Sequence, residues 1–72
     1  MTAWADQLDR KAQRILSNFG TAWVLPLREG SNPIRITGFA LVDGGDAVLL
    51  TRDGKLLGKV DPKYIADVRD HP

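Results

Sequence analysis

The residues of this chain that could do chemistry are few and scattered. Its single histidine, His71, stands in the tail Asp70-His71-Pro72, with no serine and carboxylate arranged around it as a nucleophile and an orienting group would be. Ser17 and Ser31 fall on a helix face and in a turn, and neither has the strand-to-helix glycine context that exposes a nucleophilic serine. With one His and no Cys, metal binding would rest on carboxylates alone, and Asp43, Asp46 and Asp53 lack the spacing and the terminal Glu of a calcium loop. The adjacent glycines of Asp43-Gly44-Gly45-Asp46 could cradle a phosphate, but no Lys-Ser or Lys-Thr follows and both flanking carboxylates repel an anion. The expectation is a non-enzymatic protein with no catalytic residue, cofactor, metal or small-molecule substrate.

Two sets of residues could instead bind. Arg35, Arg52, Lys55 and Lys59, with Phe39 among them, are the one place where cations converge near an aromatic, which is how small barrels hold single-stranded RNA by stacking. For Phe39 the competing role is packing under a helix, and it carries the greater weight. Trp23, Leu25 and Leu27 alternate along one strand and make a candidate protein-interaction edge.

These residues must be positioned by one helix and a run of strands. Trp4, Leu8, Ala12, Ile15, Leu16 and Phe19 recur at helical spacing, with polar residues between, and predict an amphipathic helix over about 3–19. Thr2 can cap its start, Gly20 suits a left-handed residue after its end, and Trp4 and Phe19 are expected in the core. From Thr21 the period shortens toward two, and five strands are expected: about 21–28, 34–42, 47–52, 55–60 and 64–69. Pro26 marks the first as an edge or a bend. Asp53-Gly54 is the strongest hairpin signal, and Gly38 and Gly58 are natural places for sharp bends.

Composition bounds the rest. A 72-residue chain without cysteine hides only about 60% of the surface its unfolded form exposes, so tight packing or oligomerisation must supply what disulfides cannot. Ten basic against nine acidic residues leave a charge of +1, no footprint for wrapping a polyanion without local clustering. The apolar runs, such as Ala47 to Leu50, are at most four residues long and far too short for a bilayer, and Asp6 and Asp9 stand where a signal peptide needs a basic stretch, so a cytoplasmic setting without membrane contact is expected.

Three resemblances refine this. Gly58-Lys59-Val60-Asp61-Pro62-Lys63-Tyr64-Ile65 looks like the end of an SH3-type barrel, which implies architecture only. Asn32-Pro33-Ile34-Arg35-Ile36-Thr37-Gly38 followed by Val48-Leu49-Leu50 is similar to the first motif of bacterial Sm-like RNA chaperones, with Asp61-Pro62-Lys63-Tyr64 where their uridine-pocket motif stands. The helix running through Phe19-Gly20 into a strand, then Ile34-Arg35-Ile36-Thr37-Gly38-Phe39, resembles the opening of the small head-tail joining (connector) proteins of tailed phages, which implies a ring-forming virion component acting by protein contact. The expected protein is a single α+β domain over 1–72, a helix followed by a five-stranded antiparallel meander forming a small SH3/Sm-like β-barrel. The expected function is phage or prophage virion assembly, in host cytoplasm or virion, as a homo-oligomer or ring. Single-stranded RNA binding and inhibition of a host enzyme or nuclease are the alternatives.

Overall fold

The computed structural model describes residues 3–72, so the expected cap Thr2 lies outside the described residues. Helix α1 spans Ala3–Phe19. It forms where the periodic apolar residues predict it, and it buries Ala5, Leu8, Ala12 and Ile15, spaced three and four apart along one stripe. Leu8, fully buried among the strands, contributes about 1.5–3 kcal/mol by its removal from water. The helix ends where Gly20 adopts φ +76° and its N–H donates to Leu16 O at 2.8 Å. The two aromatics at the ends of the stripe do not enter the core. Trp4 stays at its rim, where its indole N–H donates to the carbonyls of Pro62 and Ile65. Phe19, expected inside, is 62% exposed because Ile15 and Leu16 already cover the sheets beneath the last turn.

Six strands follow, one more than expected: β1 Ala22–Pro26, β2 Ile34–Ile36, β3 Gly38–Val42, β4 Ala47–Arg52, β5 Lys55–Val60 and β6 Ile65–Arg69. They form two antiparallel three-stranded sheets, in the orders β2-β1-β6 and β3-β4-β5, and they do not close into a barrel. The extra strand arises because the segment expected as one strand over 34–42 breaks at Thr37. There the Thr37 N–H donates to Thr51 O, and Thr37 Oγ1 accepts from the Asp53 N–H, both at 2.8 Å. Gly38 permits this close approach, since a Cβ on it would stand under 3.0 Å from Thr51 Oγ1. The break shifts the alternation by one residue. Ile34 and Ile36 face inward before it, Phe39 and Leu41 after it, so the single expected face of Ile34, Ile36, Gly38, Ala40 and Val42 divides between core and solvent.

Strand β1 is the centre of its sheet, not an edge. Pro26 is tolerated there because it sits at the strand's last position, where a bulge shifts the pairing from Leu25↔Asp67 to Pro26↔Ile65. The two sheets and α1 enclose one core, formed by Leu8, Ile15, Val24, Ile36, Phe39, Val48, Leu50, Ile65 and Val68. Among the described residues no helix is long and apolar enough to cross a membrane.

Candidate interaction surface

Strand β5 is an edge of one sheet and β6 an edge of the other, and the seam between them is where a closed barrel would have paired. Local chemistry keeps them apart. Asp61 caps a short 3-10 turn over Pro62–Tyr64, with its Oδ1 accepting the Lys63 N–H at 3.0 Å and Pro62 at the first turn position. That turn carries the chain from β5 to β6. The Leu27 N–H donates to Tyr64 O at 2.8 Å and fastens the end of β1 beside it.

A cleft of about 270 Å³ opens at the seam. Its walls are Val24 and Ile34 from one sheet, Leu50 and Val60 from the other, and Ile65 at its base, all apolar. Tyr64 and Arg28 stand at its mouth. Arg28 is the one charged residue of the lining, and its guanidinium makes no ion pair or hydrogen bond within the described residues. Gly58 pairs with Leu50 and lies two residues before Val60, on the same face of β5, and a Cβ on it would meet nothing within 4 Å. Beside it a bulge leaves Leu57 without a cross-strand partner, since Thr51 pairs with Leu56 and Leu50 with Gly58. Large apolar groups are exposed around the seam: Leu27 at 60%, Tyr64 at 61% and Leu56 at 62%, with Leu57 partly so.

The residues expected to bind are distributed differently. Trp23 and Leu25 lie half-buried on the outer face of the central strand, where Trp23 stands between Arg35 and Arg69 in the cross-strand register, and only Leu27 reaches the seam. Phe39 is 4% exposed in the core, so its own ring is not presented to a base beside the expected cations. Those cations do not share one sheet: Arg35 is on β2, whereas Arg52 and Lys55 face each other at the β4-β5 hairpin and Lys59 pairs with Asp43 at 2.7 Å. Arg28, Leu50, Gly58, Val60 and Tyr64 were not singled out as binding residues. The available signal was Gly58, a glycine in strand register needing no positive φ and placed opposite a large core residue.

A second hollow, at the end of α1, is lined by Lys11, Arg14, Phe19, Arg69 and His71. Lys11 and Arg69, though not Arg14, are neutralised from within. Lys11 and Arg69 both bind Asp67, at 2.8 and 3.0 Å, and His71 Nδ1 lies 2.6 Å from Asp70. Partial burial pushes Asp67 up, but hydrogen bonds from Lys11, Arg69 and the Val68 N–H outweigh it and hold the carboxyl below its ordinary value. Asp70 is lowered chiefly by the hydrogen bond from His71. Among the described residues no three His, Asp or Glu side chains gather as a metal site would require. No family model matches the chain, and no curated protein or solved structure matches it either.

Proposed function

We propose that this chain is a structural interaction module that acts by protein contact and by self-association into a closed oligomer, in line with the resemblance of its opening to the head-tail joining proteins of tailed phages. The observation that carries the reading is the open seam. Of the four outer strands of the two sheets, β5 and β6 flank the seam, and the β5 edge carries the exposed Leu56 and Leu57 between Lys55 and Lys59. An edge of this kind is a template for another strand. Edges at two different places on one subunit pair head to tail, and such contacts close into rings when the rotation allows. The RNA-binding alternative relied on Phe39 for stacking, and that ring packs in the core.

The test is the solution mass of the purified protein by light scattering on a sizing column, at low and high salt. A discrete oligomer that resists salt is expected, because the contact is largely apolar. Leu56→Asp should convert it to monomer while the circular dichroism spectrum is unchanged. A wild-type monomer at both salt concentrations would remove self-association and leave a module that acts on a different protein, as the inhibitor alternative has it.

A further inference from the structure

We infer that the seam cleft is a docking site for an extended segment of a partner protein, one that seats an apolar side chain against Leu50, Val60 and Gly58 and sets a neighbouring carboxylate on Arg28. The inference rests on the reading of the chain as a protein-binding module but does not require that it self-associate.

Three independent features point to this occupant. The first is shape: the cleft holds about 270 Å³ between apolar walls, room for a large side chain and part of its backbone, and it opens outward rather than lying sealed in the core. The second is Gly58. Its backbone needs no left-handed conformation, its Cβ position is open, and it stands on the same face of β5 as the lining residue Val60, where a β-branched residue would suit the strand better. The third is charge. Arg28 at the mouth has no acidic partner, and the lining contains no carboxylate. Arg52 lies on the same face of β4 as Leu50, two residues beyond it, and it too has no ion pair. An apolar cleft with unopposed cations beside it selects an apolar segment flanked by acid and disfavours one flanked by base. Where another copy of the chain does not occupy it, the adjacent β5 edge offers main-chain hydrogen bonds to such a segment lying extended, the strand-addition mode of peptide recognition.

The experiment titrates the ¹⁵N-labelled full chain with two acetylated and amidated pentapeptides, Leu-Glu-Leu-Glu-Leu and Leu-Lys-Leu-Lys-Leu, and follows backbone amide shifts. The glutamate peptide should move the amides of Val24, Gly58, Val60 and Ile65 and bind at least about tenfold more tightly than the lysine peptide. Arg28→Glu should invert that preference. Gly58→Val should weaken the glutamate peptide by about tenfold or more while the thermal midpoint holds or rises. Gly58→Ala provides a milder filling of the same space. No movement of those amides, or equal binding by the wild type and Gly58→Val, overturns the inference. So does a fall in oligomer mass on Gly58→Val, which would assign the cleft to contacts between copies of this chain. A monomeric wild type that binds the glutamate peptide as described sustains the docking site and overturns only self-association.

Discussion

Gly38→Ala tests whether the break between β2 and β3 is set by close backbone approach. A Cβ at Gly38 would stand under 3.0 Å from Thr51 Oγ1, whereas Thr51 Cβ itself would be at an ordinary 3.6 Å. Threonine cannot simply turn aside. Two of its three staggered positions would aim a heavy atom, Oγ1 or Cγ2, at the new methyl, and a β-branched side chain in a strand has little rotamer freedom. Overpacking of this kind costs about 1–3 kcal/mol. For a domain of this size about 2 kcal/mol lowers the thermal midpoint by roughly 8–16 °C. The decisive arm is the double mutant. Thr51→Ala removes Oγ1 but keeps the Thr37 N–H to Thr51 O bond, which is backbone. Gly38 does not need a positive φ, so in the Thr51→Ala background Gly38→Ala should stabilise by about 0.4–1 kcal/mol through the unfolded chain. The sign of one substitution therefore reverses with its neighbour. Thermal melts of the four proteins followed by circular dichroism measure this cycle. Additive effects, with Gly38→Ala destabilising equally in both backgrounds, would refute the steric account of the break.

The ion pair between α1 and β6 makes a pH prediction. The folded-state pKa of Asp67 is depressed, so its contribution is present above the unfolded value of about 3.8 and is lost as pH falls through the lower folded value. Lys11→Met removes one of the groups that depress it, and should move the midpoint of acid unfolding to higher pH while stability near neutrality changes by no more than about 1 kcal/mol. A pH titration of the circular dichroism signal checks this, and an unmoved acid midpoint would show that the pair is not coupled to folding. At the start of the helix, Trp4→Phe keeps the ring but deletes the donor to Pro62 O and Ile65 O, both at 3.2 Å. The expected loss is about 0.5–1.5 kcal/mol in a thermal melt, and an unchanged midpoint would mean that the ring alone holds the helix to the 3-10 turn.

What the sequence made legible follows from how locally each feature is encoded. Helix α1 and the β4-β5 hairpin were readable because their signals lie within a few residues: the apolar period and Gly20 for the first, and Asp53-Gly54, both with positive φ in the structure, for the second. The split at Thr37 was not readable from alternation. It depends on Thr51 and Asp53, fourteen and sixteen residues away in sequence, and Gly38 marked only that a bend was possible. The same distance effect hid the role of β1. Pro26 suggested an edge because the bulge that accommodates it is formed by β6, roughly forty residues downstream. The scatter of the expected cations was hidden for a related reason. A count of cations near Phe39 treats strand neighbours as surface neighbours, whereas the one-residue phase shift at Thr37 turned that ring into the core.

The openness of the seam is nonetheless a local property, and this bears on what it is for. Asp61 and Pro62 start the 3-10 turn that leads from β5 into β6, which pairs with β1, and Gly58 leaves open space at its Cβ position on the same face of β5 as Val60. In a chain whose core is small, a strand glycine beside an open apolar cleft gives up roughly 0.5–1 kcal/mol relative to alanine, and more relative to a residue that would fill the space. The free domain gains nothing evident from that arrangement: no backbone conformation demands the glycine, and no neighbouring atom would be displaced by a side chain. Occupation of the cleft recovers the lost contact, and a ligand that binds only the folded state stabilises it in proportion to its saturation. On the proposed reading, the same residues that weaken the isolated fold are those that would give a partner its hold.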